Sequence, residues 1–481
     1  MRVTLFLYLF LILADPIFSQ THHALIGSRY AGSLGMYQNP ASTLSSADTT
    51  DFSIANLHFN TYTNYVNSGY APLLSKNPEI TLKPSIGDYP RELITNLQLN
   101  LLSIKHKLNQ KTAIGFGMNL RSLININTSH YNLTDSVNDI IQFIEQNSKS
   151  LPFSGSGATS NWLEYVANIS HNILDNRKYL FNVGANIRMN RGLAGVVGSL
   201  GNFQYRKYTY LGVDAYEITN ADFMYGISST IASWDNTLKF KENVRNLRRQ
   251  MKTGASLDIG AEILVKDEKE SDWFYEGLDY NYNWKIGLSL IDLGSAKYEY
   301  FPESAVSSGM KQNITPDVLI DKFFGVVTNL ADFNDSISTV VEKFEHLKGN
   351  FNIYHPSRFN INVDHKVSPY IYINAALSIP FSLVSNLHYV MKDIAYLSIT
   401  PRIENRNFGI YLPISYNPKT NLNVGAALRA GPLMFGLSDL HVFNNNTDIQ
   451  NVGAYVSLLF HFRKHIPKEQ LDFLRCTRKI L

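Results

Sequence analysis

The residues that could do chemistry in this chain are few and poorly spaced for it. Asp258 and Glu262 lie four apart in "GASLDIGAEILVK", and paired carboxylates are a common acid–base device. On a strand both share one face, where pairing with a luminal cation such as Arg188 or Arg429 fits better than catalysis. "FSGSGATS" holds Gly155, Ser156 and Gly157. It lacks the spacing and the strand–turn–helix setting of a nucleophile elbow, and it reads as a flexible loop. "GVVGSLGN" spaces Gly195, Gly198 and Gly201 by threes, which is no dinucleotide fingerprint and marks turns or a bent strand. His22 and His23 are adjacent and the other histidines scattered, so no metal-ligand spacing emerges. Cys476 is the one cysteine; it reads as an incidental thiol and excludes an intramolecular disulfide. No catalytic residue, metal or cofactor is expected.

The elements that would position these residues are strands. In "TAIGFGMNLRSLININ", Ile114, Phe116, Met118 and Leu120 alternate with Ala113, Gly115, Gly117, Asn119 and Arg121. One face is apolar; the other is small, polar and finally charged, the period of a strand. "YLFNVGANIRMN" repeats this, with Arg188 on the polar face, and "GASLDIGAEILVK" sets Ile259 against Asp258 and Glu262. "RFNINVD" carries Arg358 and "NLNVGAALRA" carries Arg429 on the same kind of face. Each run lasts about ten residues, the length a tilted strand needs to cross a bilayer.

Two architectures use such strands. A soluble sandwich buries the apolar face against a second sheet. A membrane barrel turns it to lipid and keeps the polar face for its lumen. Long strands, uninterrupted apolar faces and polar faces rich in Gly, Asn and isolated charges favour the barrel. The chain's start agrees: Arg2 precedes an apolar run from Val3 to Ala14, then Pro16 and Ser19. This is the layout of a secretory signal peptide, expected over residues 1–19. The formal net charge of +3 is nearly balanced, so nothing points to nucleic acid.

The expected fold is all-β: an antiparallel transmembrane β-barrel of about 14 strands. Coarse strands begin near residues 51, 91, 112, 178, 251, 281, 357, 370, 390, 405, 421, 431 and 450, and the stretch 202–229 supplies one more. Residues 20–50 form a luminal plug segment, 51–462 the barrel and 463–481 a periplasmic tail. The turns at 109–111, 367–369, 404–407 and 430–432 fall in the periplasm, with 267–280 as an unusually long one. The segments 128–177 and 297–356 fall outside and read as helical. Val137, Ile140, Ile141 and Ile144, then Trp162, Tyr165, Val166, Ile169 and Ile173, sit at helical spacing. Thr315 is an N-cap with Pro316 at the first helical position, and Ile337, Val340, Val341 and Phe344 form a further stripe.

"GSRYAGSLGMYQNPASTLSS" resembles the amino-terminal plug of the fatty-acid channel (FadL-like) barrels, whose Asn-Pro-Ala motif is here Asn39, Pro40 and Ala41. "GLSLIDLGSAKY", "FGIYLPISYNPKTNLNVGAALRAGPLMFGLSDL" and the closing strand are similar to a Bacteroidota outer-membrane barrel family of unknown function. The resemblance implies an outer-membrane barrel with a plug. It also implies two function classes: a channel for small hydrophobic compounds, or a docking barrel, like secretion-system accessories, that binds an envelope protein through its helical inserts. Outer-membrane lipid is the expected partner in both. The luminal polar residues are expected to be Asn119, Arg121, Arg188, Asp258, Glu262, Arg358 and Arg429. Asn39 is expected to meet Arg121, Arg188 or Arg429.

Overall fold

A computed structural model describes residues 23–46, 48–68, 82–134, 140–147, 152–210, 213–233, 235, 237–266, 282–323, 326–384, 389–440 and 450–462. The expected signal peptide, the 267–280 turn and the tail after Phe462 lie outside the described residues.

Fourteen strands close into a barrel. They are β1 (Thr50–Thr63), β2 (Gly87–Lys107), β3 (Thr112–Leu133), β4 (Phe153–Asp175), β5 (Tyr179–Tyr210), β6 (Thr253–Lys266) and β7 (Tyr282–Glu299). The second half holds β8 (Ser357–Lys366), β9 (Ile371–Phe381), β10 (Tyr396–Glu404), β11 (Phe408–Tyr411 and Ile414–Asn417), β12 (Asn421–Val424 and Ala426–Ala430), β13 (Leu433–Leu437) and β14 (Asn451–Phe462). Each pairs antiparallel with its neighbour in sequence. β14 then pairs with β1, from Thr50 opposite Phe462 to Tyr62 opposite Asn451. Closure leaves no edge strand, the condition for a sheet in hydrocarbon.

The alternation read from sequence is the alternation of inside and outside. Ile114, Phe116 and Leu120 are 41%, 45% and 37% exposed, whereas Ala113, Asn119 and Arg121 are buried. The exposed apolar belt is a lipid face. Tyr179, Trp284, Tyr370, Phe408 and Phe462 stand exposed near the tight-turn end of their strands, where an aromatic girdle belongs. The tight turns span 108–111, 176–178, 367–370, 405–407 and 431–432.

The strand count agrees with expectation through two compensating differences. Residues 153–175 are a strand and not a helix. Trp162, Glu164, Val166 and Asn168 face inward and are buried, while Ile169 and Ile173 are exposed. Apolar residues on both faces of this strand happen to imitate a helical stripe. Gly155, Ser156 and Gly157 therefore lie in β4, paired with Thr128, Asn127 and Ile126, and not in a flexible loop. In turn, the stretch 202–229 adds no barrel strand. β5 overshoots the belt as far as Tyr210 and folds back through Val213–Ile227. Gly195, Gly198 and Gly201 lie in this long strand, which bulges just after Gly201, with Asn202 at φ +50°.

At the long-loop end the Val213–Ile227 strand pairs with Ala305–Met310, which pairs with Val341–His346. The helices α4 (Pro316–Phe323) and α5 (Leu330–Val340) pack there, around Ile218, Met310, Ile314, Ile337, Val340 and Val341. The segment 297–356 is thus mixed, with strands as well as the expected helices. α4 starts at Pro316, with the Thr315 hydroxyl 3.4 Å from the Val318 amide. The expected stripe reaches the core, but its helix ends at Val340 and Phe344 is on a strand. In this protrusion the Asn313 amide and the Arg206 guanidinium hold the Glu217 carboxyl below its ordinary range. Three further helices are α1 (Ser42–Ser45), α2 (Ile140–Gln146) and α3 (Phe240–Gln250).

Candidate functional site

The lumen is filled by the chain's own amino-terminal residues. Residues 23–46 run inside the barrel as short 3-10 turns and α1. Leu25, Met36, Ala41 and Leu44 are at most 1% exposed. Ala24, Leu25, Ala31 and Leu34 pack on Tyr411, Met434, Tyr455 and Leu459, the inner face of β11 to β14.

The opposite wall receives Asn39, Pro40 and Ala41, and glycines make the room. A Cβ on Gly184 would lie 2.5 Å from the Pro40 carbonyl carbon, and one on Gly260 would lie 2.9 Å from Pro40 Cδ. At Gly287 it would lie 2.9 Å from Asn39 Nδ2, and at Gly115 3.1 Å from Met36 Sδ. The Pro40 backbone and ring leave no room for the first two, so β5 and β6 give up a side chain where the tripeptide docks, while at Gly287 the space is shared by the Asn39 and Asn362 amides. Asn39 donates to the carbonyls of Ala261 (3.0 Å) and Leu288 (3.4 Å) and accepts from the Ala41 amide (3.0 Å). It meets strand backbone, not the arginines expected. Ala261 and Leu288 face each other in the β6–β7 ladder, and each carbonyl has a second lone pair that the Asn39 amide can use.

Luminal side chains hold the rest of the segment. Asn168 donates to the Pro40 carbonyl at 3.1 Å and accepts from Thr43 at 3.0 Å. Asn186 donates to the Met36 carbonyl at 2.8 Å and Ser289 to the Gln38 carbonyl at 2.7 Å. Lys285 donates to the Gly27 carbonyl at 2.6 Å, and Ser45 donates to Glu262 at 2.5 Å.

Beside the segment lies a buried ion network that brings together five of the polar residues singled out from sequence. Arg121 grips Asp292 with two bonds of 2.7 and 3.0 Å and reaches Glu164 at 3.3 Å. Arg188 pairs with Asp258 through Nε at 2.7 Å, with Glu164 at 3.2 Å and with Asp292 at 3.1 Å. Arg358 bridges Asp292 at 3.1 Å and Asp393 at 3.2 Å. Asn119 donates to Glu164 at 2.7 Å. Glu262 and Arg429 stand apart from it. Glu262 is 3.8 Å from Lys285. Arg429 lies over the Tyr30 ring and donates to the Arg406 carbonyl at 2.8 Å.

Three acids of this network, Glu164, Asp292 and Asp393, were not foreseen. Asp292 sits at φ +61° inside a bulge of β7 between Leu290 and Leu293. Trp162 stacks on His355 with centroids 4.4 Å apart and lies 4.9 Å from Arg121. A second cluster ties Arg402 to Asp364 at 2.6 Å and to Glu404 at 2.9 Å.

Among the described residues, Asp48, Asp51 and His461 have the composition of a metal site. The Lys105 ammonium is 2.7 Å from Asp51 and also bonds Ser46 and the Asp48 carbonyl. A cation is therefore already in place, and the trio reads as part of an ion-pair cluster.

Among the described residues, two small cavities lie beside the segment. One cavity of about 40 Å³ lies between Leu25, Ile26, Ala31, Lys285, Arg358, Ala376 and Tyr396. Another of about 30 Å³ adjoins Leu34, Tyr37, Asn100, Arg121 and Arg188. Each has room for a few waters.

A closed barrel with an apolar belt and a polar, occupied lumen is an outer-membrane-type β-barrel. Residues 40–439 match the family of unknown function DUF5723, and the chain belongs to that family. Comparison with curated protein sequences gives no match. Among solved structures the chain is similar to a "TodX deltaS2S3 mutant monoaromatic hydrocarbon channel" at 12% identity and TM-score 0.43, covering 90% of this chain and 95% of that one. It is similar to a Pseudomonas aeruginosa FadL homologue at 9% identity and TM-score 0.40, covering 92% and 99%. The Pseudomonas putida toluene transporter TodX is similar at 8% identity and TM-score 0.32, covering 92% and 94%.

Proposed function

We propose that this chain is an outer-membrane channel for a small hydrophobic compound, closed by its own residues 23–46 and opened when they move. The carrying observation is that residues 23–46 fill the lumen among the described residues, beside two cavities of about 40 and 30 Å³. Spaces of that size hold a few waters and no hydrocarbon ring, so in this reading passage requires the segment to shift. Its contacts with β5 to β7 run through glycines and hydrogen bonds, while Met36 and Tyr37 seat their side chains against Gly115 and Gly117 of β3. Leu25, Ile26, Ala31, Ala376 and Tyr396 offer an apolar wall beside the larger cavity, which suits a hydrophobic solute. Export by the residue 1–19 leader and a periplasmic tight-turn end belong to the same proposal. The buried acids of the ion network are engaged by arginines, an arrangement suited to structure and not to proton transfer.

The test is conductance. Deleting residues 21–45 with the leader kept should leave a folded barrel that conducts more in planar bilayers than the intact one. A folded deletion variant with unchanged conductance refutes the plug. A second reading, docking of an envelope protein, draws support from the protrusion, which has its own core around Ile218, Met310 and Ile337. Recovery of a stoichiometric protein with the native barrel, lost when the protrusion is removed, would favour it.

A further inference from the structure

We propose that α3 is a membrane-surface anchor that binds the phosphate groups of outer-leaflet lipid. The helix reads "FKENVRNLRRQ" and carries one acid, Glu242, against Lys241, Arg245, Arg248 and Arg249. At 100° per residue Phe240, Val244 and Leu247 fall on one stripe, and the four cations fill the adjoining arc. Asn243 borders the stripe beside Leu247, on the side away from the cations, and is buried, bonded to the amide and carbonyl of Asp235. The loop that carries α3 therefore covers that side. Phe240 and Val244 are left 74% and 40% exposed, with Leu238 and Ile231 exposed nearby.

The place of the helix says what these residues face. Arg191 belongs to the outward set of β5, following Ile187 and Met189, which are 69% and 44% exposed. Its guanidinium donates to the Arg248 carbonyl at 3.0 Å and to the Thr253 hydroxyl at 2.7 Å. The last turn of α3 is thus pinned against the outer wall of the barrel, just past the lipid belt of β5 and β6, at the long-loop end. Apolar residues continuous with a lipid belt, beside a dense basic arc, make an interfacial helix. Its complement is an anionic headgroup with acyl chains. In an outer leaflet that means a phosphorylated glycolipid.

The proposal rests on the outer-membrane reading with the long-loop end outward. Its test does not use that orientation, so the two fail separately. The full chain, purified in neutral detergent, is titrated with lipid A and with the same disaccharide lipid lacking phosphates, and native mass spectrometry counts bound lipid. Lipid A should bind preferentially. The variant R245Q/R248Q/R249Q should lose about tenfold or more of that preference, while K343Q/K348Q, on the protrusion, should keep it. Phe240→Ser should weaken both lipids. Heat-modifiable mobility checks that each variant folds. Equal binding of the two lipids, an unaffected triple variant, or displacement of lipid A by millimolar inorganic phosphate would each overturn the proposal.

Discussion

Asp292→Asn should cost more stability than its size suggests, because Asp292 is where three arginines meet. Arg121, Arg188 and Arg358 approach it at 2.7, 3.1 and 3.1 Å, and the side chains of all four are at most 7% exposed. The substitution is fair to the backbone, since Asn tolerates the left-handed φ of +61° that Asp292 adopts. It removes one charge and turns an amide N–H toward a guanidinium that the carboxylate had bonded. Breaking a buried pair by removing one partner costs about 3–5 kcal/mol. An exposed pair costs about 0.2–1 kcal/mol. Burial decides between them, and the larger range is expected. The assay is urea unfolding of the barrel in lipid vesicles, followed by tryptophan fluorescence; Trp162 lies 4.9 Å from Arg121 and reports on the site. Adding Arg121→Met should cost less in the Asp292→Asn background than alone, because the two share one interaction. A loss under about 1 kcal/mol would mean the network is hydrated, and the reasoning from burial would be wrong.

Phe116→Arg and Ile259→Arg should each cost about 2–4 kcal/mol or block assembly, since both residues lie on the lipid face; unchanged heat-modifiable mobility and urea midpoint would refute a lipid face there. An epitope tag inserted at Gly349, an open turn of the protrusion with nothing within 4 Å of its would-be Cβ, should be labelled on intact cells. A tag after Leu481 should not be, and labelling of the carboxyl-terminal tag alone would invert the assigned orientation. G184A/G260A should loosen residues 36–41 without deleting them, raising conductance and protease sensitivity near Pro40; a quiet, protease-resistant barrel would show that the segment does not depend on this cradle.

Much of the barrel was legible because a strand with lipid on one side and a lumen on the other has to alternate. Asn119, Arg121, Arg188, Asp258, Glu262, Arg358 and Arg429 could be picked out as the polar members of such alternations, and all are buried in the structure. What alternation hides is any place where both faces look alike or the period slips. β4 carries Trp162 and Val166 inward beside outward Leu163, Tyr165 and Ile169, so its pattern read as helical; Glu164, Asn168 and Ser170, spaced by twos and fours, were the overlooked signal. Asp292 follows the alternating run Ile286, Leu288, Leu290, but the β7 bulge shifts the register before it. Only the bulge puts its carboxylate among the arginines. Asn39 could be assigned to the lumen, but its partners are backbone carbonyls, which no residue type announces.

The glycines of the polar face show how the two halves of the structure depend on each other. Glycine inside a strand costs stability, because it orders more backbone and packs no side chain. Gly184, Gly260 and Gly287 accept that cost on three adjacent strands, Gly184 opposite Gly260 and Gly287 one luminal step below Ser289, the partner of Gly260. Asn186, Asp258 and Ser289 stand one luminal step further along the same strands and touch either residues 36–38 or the arginine network. A barrel that needed only a packed interior could fill these positions with Ala or Ser. Leaving them bare suits a wall shaped to receive a backbone segment closely; on this side the fit is made of hydrogen bonds and small contacts, and the apolar hold on the segment lies on the opposite wall, around Leu25, Leu34, Met434 and Tyr455. The arginine network then has a separate task. It braces β3 to β8 from inside, so that the wall holds its shape if the segment leaves. On this argument Asp292→Asn should lower barrel stability equally with and without residues 21–45. A network that depended on the segment would instead lose its effect in the deletion background, and the division between brace and plug would fail.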